Sequence, residues 1–188
     1  PGNMKIAFVI YNGMTALDFI GAYDSIVRLK TMGFIPELEW DICALTEEIH
    51  DHTQLCLKPT RVGGTLEGYD IVIVPGGFSA SKLVDDVEFV NWLKTAASCK
   101  IKASVCSGSL LLGAAGFLKG KKATSHRSAF KQLAQYCSQV VDQKVFEDGD
   151  VITARGVTSS IDLGLYLCEK LSGTEAKEKI RKQIDFGE

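Results

Sequence analysis

Several short stretches of this chain are apolar at nearly every position: Lys5 to Tyr11, Asp70 to Val74 and Ile101 to Val105. Runs of that length read as strands buried on both faces, as in a parallel sheet. Glu39 to Leu45 alternates polar with apolar residues and predicts a further strand. Between them the apolar spacing changes to a helical period. Leu17, Ile20, Ala22, Tyr23, Ile26, Val27 and Met32 predict a helix from Thr15 to Met32, which Gly33 stops. A helix is expected from Ser79 to Ala97 with Asp85, Asp86 and Glu88 towards solvent, and a buried one from Ser109 to Ala115, ended by Gly116. Ile49 to Val62 reads as a hairpin or irregular excursion at the sheet edge. A short strand at Lys122 to Thr124 and a helix at Ser128 to Tyr136 precede a hairpin across Gln139 to Ala154, turning at Glu147 to Asp150 on its Asp-Gly pair. A helix from Ser159 to Leu171, broken by Gly173, and an amphipathic one from Glu175 to Ile184 finish the chain.

Strands that alternate with helices predict an α/β fold, a parallel sheet covered on both faces. With 188 residues and no linker, repeat or low-complexity segment, one domain over residues 4–188 is expected. Met4 reads as the native start and Pro1 to Asn3 as a cloning remnant. Lys plus Arg number 21 against 23 Asp plus Glu, so a strongly basic nucleic-acid surface is excluded. No apolar run has the ~18–20 residues that cross a bilayer, and no signal-peptide layout opens the chain. Six dispersed cysteines without CxxC spacing read as reduced thiols of a cytoplasmic protein, most of them packing groups.

In an open parallel sheet, ligands bind at the carboxyl ends of the strands. Here those ends carry Tyr11 to Asp18, Pro75-Gly76-Gly77 and Cys106-Ser107-Gly108. Small residues two before and two after Cys106 (Ser104 and Gly108) match a nucleophile elbow, against the alternative of a structural cysteine at a strand end. The N-terminus of the following helix favours a thiolate, and the Ser107 N–H could bind an anion. Gly76 and Gly77 make a tight turn whose N–H groups could complete that anion site. His126 is a candidate partner of the thiol, or else a polar cap. Asp18, among Leu17, Phe19 and Ile20, is either a first-turn helix acid or a carboxyl set against the thiol. His50 and His52 would share a strand face, but no third metal ligand is evident in the sequence.

Taken together, Ile6 to Tyr11, Leu17 to Ala22, Asp70 to Gly77, Val105 to Gly108 and Lys122 to His126 resemble the ThiJ/PfpI family of the class I glutamine-amidotransferase-like superfamily. Within it, the similarity is greatest to the branch of isonitrile hydratases and the sensor-like domains of AraC-type regulators. The resemblance implies a flavodoxin-like three-layer sandwich, a reactive Cys106, and Asp18 hydrogen-bonded to its sulfur as proton donor. It also implies a homodimer, a small-molecule substrate, and no metal or organic cofactor. The branch usually has threonine where Ser107 stands, and its protease-like relatives have histidine there, which disfavours a peptidase. AraC-type regulators continue into a helix-turn-helix region, for which residues 4–188 leave no room. The expected function is therefore a cysteine-dependent hydratase or hydrolase of a small electrophile. Cys106 would be the nucleophile, Asp18 the proton donor, His126 an auxiliary base, and Gly76, Gly77 and Ser107 the anion-binding groups. The alternatives are an intracellular protease or amidase, and a non-catalytic redox sensor or small-ligand domain.

Overall fold

A computed structural model describes residues 3–188; the expectation for Pro1 and Gly2 lies outside the described residues. The chain starts with β1 (Lys5–Val9), α1 (Ala16–Thr31) and β2 (Glu39–Ala44), then a small excursion, β3 (Ile49–His50) and β4 (Cys56–Leu57), before β5 (Arg61–Val62). β6 (Ile71–Val74) leads to α2 (Ala80–Leu83) and α3 (Val87–Lys94), and β7 (Ile101–Val105) to α4 (Gly108–Ala114). Next come β8 (Lys122–Ala123), α5 (Phe130–Leu133), β9 (Gln139–Val140) and the hairpin β10 (Val145–Asp148) and β11 (Val151–Ala154). Two helices, α6 (Ser159–Ser172) and α7 (Thr174–Gln183), close the chain.

Seven strands form one sheet in the order β10-β11-β7-β6-β1-β2-β5, parallel except for the β10–β11 pair. The apolar strands are central because only there are both faces covered: every residue of β6 and β7 is buried. Phe8, Ile6, Ile10, Leu110 and Leu111 are among the largest fully buried side chains. Each stabilises the fold by about 1.5–3 kcal/mol relative to an exposed position. The order β7-β6-β1 makes the carboxyl ends of these strands neighbours. That adjacency brings Cys106, Gly76 and the loop leading to Asp18 into one place.

Three segments depart from the sequence reading. The expected helix over Ser79 to Ala97 is broken between α2 and α3 because the Asp86 carboxylate accepts from Phe89 N–H at 3.0 Å, starting a new helix. The expected helix from Ser128 to Tyr136 shrinks to a 3₁₀ turn and α5. The long hairpin is confined to Val145–Ala154, since β9 pairs instead with β8 in a separate parallel ladder. Between β9 and β10, Asp142 is tied to Arg155 (2.6 Å) and Arg127 (3.1 Å), which holds that segment out of the ladder.

Candidate active site

Cys106 follows the last residue of β7 and adopts φ +58°, a left-handed conformation that an L-residue pays about 1–2 kcal/mol to hold. Its backbone is fixed from both sides. The Cys106 N–H donates to the carbonyls of Ala154 (3.0 Å) and Arg155 (2.9 Å), and its own carbonyl accepts from Ser125 Oγ at 3.0 Å. Two glycines make room for it. A Cβ on Gly76 would collide with the Ser107 backbone nitrogen and the Cys106 side chain. A Cβ on Gly156 would lie 2.6 Å from Cys106 Cβ and 2.9 Å from Sγ. The sharp strand-to-helix bend at Cys106 is therefore present, and Gly76 and Gly156 are sterically required beside it.

Asp18 lies in the first turn of α1, yet its residue is fully buried. Thr15 N–H donates to Gly76 O (2.8 Å), docking the start of α1 on the β6 turn. Gly76 N–H returns to Asp18 Oδ2 at 3.1 Å. Oδ1 has no partner of ordinary hydrogen-bond geometry, and the Cys106 thiol is the side chain with which the carboxyl interacts. Burial raises the Asp18 carboxyl from 3.8 to about 7, against the opposing pull of its bonds to Cys106 and Gly76. Burial, and next the charge of Asp18, push the Cys106 thiol up to about 12, while the Ser107 N–H pulls it down.

The expectation of a thiolate favoured by the helix N-terminus is thus corrected, because desolvation and a neighbouring carboxylate outweigh that dipole. Thiol and carboxyl act as a pair. The first proton leaves near neutrality and the second only far above it, so above about pH 7 the two groups hold one proton between them. Tyr11 stands behind them with its hydroxyl donating to Pro75 O at 2.6 Å, and burial keeps it neutral.

The sulfur opens on a cavity of about 420 Å³ whose wall includes Thr15, Phe78, Leu110, Gln132 and Val157. Gly77 and Ser107 also line it, but their groups are bonded to each other: Gly77 N–H donates to Ser107 Oγ (3.0 Å), and that hydroxyl donates to Gly77 O (3.1 Å). Gly76 N–H is committed to Asp18. The glycine amides therefore hold the acid and the serine rather than an open anion site, and the Ser107 N–H is the donor beside the sulfur.

His126 reaches the cavity wall, but its Nδ1 accepts from Ser128 N–H at 3.2 Å and contacts Ser128 Oγ at 2.7 Å. Both contacts of Nδ1 are to Ser128, and among the described residues no hydrogen bond joins the imidazole to the Cys106 sulfur. His50 and His52 do not share a face. His52 turns to the cavity rim, its ring 5.3 Å from that of Phe78, which is 81% exposed. Phe78, Gln132 and Gly156 escaped the sequence reading, and Tyr11 entered it only as the end of the first strand. The position of Phe78 directly after the Gly76-Gly77 turn was the available signal for it, but nothing local marked Gly156 as the residue packed against the sulfur.

The described helices include none long and apolar enough to cross a membrane. The family model of the DJ-1/PfpI family matches residues 4–170. Among curated relatives, an isonitrile hydratase of Pseudomonas putida is 32% identical over 97% of this chain and 78% of its own length. Protein DJ-1alpha of Drosophila melanogaster is 31% identical over 62% of this chain and 54% of its own length. Among solved structures, a ThiJ/PfpI family protein of Pseudomonas syringae superposes over 100% of this chain and 76% of its own, with a TM-score of 0.90 and 31% identity.

Proposed function

The chain belongs to the DJ-1/PfpI family, and on that premise we propose that it is a cysteine-dependent hydratase of a small electrophile, of the isonitrile hydratase kind. The observation that carries this reading is the buried Asp18 carboxyl set against the Cys106 thiol at the wall of the cavity. An isonitrile is neutral, with a terminal carbon that takes a nucleophile and then a proton. A pair holding one proton supplies both once that proton passes from the Cys106 sulfur to the Asp18 carboxylate as substrate binds, giving thiolate with carboxylic acid.

In the proposed cycle, Sγ of Cys106 bonds to the isonitrile carbon while Asp18 protonates that carbon, giving a thioimidate and the Asp18 carboxylate. Water adds across the C=N bond, its oxygen to carbon and a proton to nitrogen. The C–S bond then breaks, the hydroxyl proton returns to Asp18, and an N-substituted formamide leaves. The Ser107 N–H supports the sulfur whenever it carries charge. The apolar wall of Leu110, Val157 and Phe78 suits the organic substituent on nitrogen.

Turnover of a panel of alkyl and aryl isonitriles tests the reading. The parent should form formamides, Cys106→Ala should lose at least ~10³-fold in rate, and Asp18→Asn about 10²–10⁴-fold. Full activity in Cys106→Ala overturns it. Cleavage of amides or peptides without isonitrile turnover would move the protein to the amidase reading. No turnover of either, with selective peroxide oxidation of Cys106, would move it to the sensor reading.

A further inference from the structure

The excursion β3–β4 carries chemistry that the cavity does not use. Glu48 immediately precedes β3, and His50 stands opposite Cys56 in the antiparallel register. One ligand atom from each of Glu48, His50 and Cys56 lies within 4.8 Å of the others. The opposite face is the packed one: Ile49, paired with Leu57, is 3% exposed. Glu48 and Cys56 are exposed and His50 half-buried, so all three donors are reachable from water.

The scaffold beneath them is fixed before any ligand arrives. His50 N–H donates to Asn12 Oδ1 at 2.9 Å, and its carbonyl accepts from Gly13 N–H at 2.9 Å. The joining turn is clamped by the Asp51 carboxylate, which accepts from Thr53 N–H (2.8 Å) and Leu55 N–H (2.9 Å). By contrast, the hydrogen bonds of Glu48 and His50 among the described residues run through their main chains, leaving the carboxylate and the imidazole uncommitted.

We propose that Glu48, His50 and Cys56 form a binding site for a borderline divalent transition-metal ion of the zinc type. The donor set decides the ion: a thiolate and an imidazole with one carboxylate suit zinc, whereas calcium and magnesium take oxygens alone. Bonds of about 2.3 Å to sulfur and about 2.0–2.2 Å to nitrogen and oxygen put tetrahedral ligands roughly 3.4–3.6 Å apart. Rotamer changes of exposed side chains cover the difference from the observed spacing. Water fills the fourth position. Binding forms the metal–sulfur bond and releases the Cys56 thiol proton to solvent, so it strengthens as pH rises. The site lies outside the cavity, on the segment that sends His52 to its rim, and stands independently of the hydratase reading.

Titration of the full chain with Co²⁺, competed by Zn²⁺, tests the site in a Cys106→Ser background that removes the cavity thiol. The expected result is one ion per chain with a sulfur-to-cobalt charge-transfer band and the visible bands of a tetrahedral centre. Cys56→Ser should abolish the charge-transfer band, and His50→Ala should weaken binding by more than the ~10–100-fold that even an outer-shell loss costs. Glu48→Gln should weaken it as well, and His52→Ala should leave it unchanged. Circular dichroism of each surface variant, matched to the parent, keeps loss of binding distinct from loss of fold. The proposal is overturned by a charge-transfer band that survives Cys56→Ser, by binding unaffected by His50→Ala, or by half an ion per chain, which would mean a site shared by two copies.

Discussion

Replacing Asp18 by asparagine should stabilise this protein while it disables the cavity. Raising a buried carboxyl from 3.8 to about 7, at about 1.4 kcal/mol for each pH unit, means that the ionised form costs the fold about 4 kcal/mol. The sign follows from proton binding. Between those two values the native state holds a proton that the unfolded chain has lost, so stability is fully present below about pH 4 and is lost progressively up to about pH 7. Asparagine keeps the shape and an oxygen for the Gly76 N–H, but has no proton to lose.

The variant should therefore gain on the parent by roughly 1.4 kcal/mol per pH unit between pH 5 and 7. An unpaired amide facing the thiol offsets part of this, by about 1–3 kcal/mol. A net gain of about 2 kcal/mol at pH 8 corresponds to roughly 4–8 °C in Tm for a chain of this size. Urea melts of both proteins at pH 5, 6, 7 and 8 read the difference directly. A gap between them that does not change with pH would refute the reasoning, as would an Asp18→Asn variant that loses stability relative to its parent from pH 5 to pH 8. A stability gain coupled to lost turnover is the pattern of a site that holds a group in an unfavourable state for function.

Other perturbations read separate parts of the same geometry. The alkylation rate of Cys106 by iodoacetamide should keep rising above pH 9, because burial and the charge of Asp18 push the thiol up to about 12, and Asp18→Asn should move that rise to lower pH. Gly156→Ala should displace the sulfur, since the new Cβ would stand 2.9 Å from Sγ; turnover should fall about 10²-fold for a displacement of about 1 Å, while overpacking costs about 1–3 kcal/mol in a melt. Phe78→Ala should raise KM for bulky aryl substrates with kcat and Tm nearly unchanged, as an 81% exposed ring contributes little to the core. His126→Ala should lower kcat by less than ~10², because the imidazole is bonded to Ser128 and not to the sulfur.

Much of the architecture was legible because buried parallel strands need continuous apolar runs and surface helices need a helical period. β6 and β7 match those runs closely, and α1 matches the period from Leu17 to Met32. The misreadings fall where a side chain competes with a pattern. Asp86 caps a new helix inside an apolar period, and Asp142 draws Arg127 and Arg155 together across what the spacing suggested was one long hairpin.

The amino-acid order alone also marked Cys106, since Ser104 and Gly108 around it predict a strand-to-helix bend by local sterics. What Asp18 does was not a local property. Its neighbours in the chain are compatible with an ordinary helix acid, and only the strand order β7-β6-β1 sets it against a sulfur 88 positions away. The same holds for the glycine amides, whose partners come from distant segments, and for His50, whose neighbours Glu48 and Cys56 are set by hairpin register. Periodicity reports which face of an element is dry. The protonation of a buried group depends on which charges and dipoles lie within a few ångströms, and that distance exists only after the sheet has assembled.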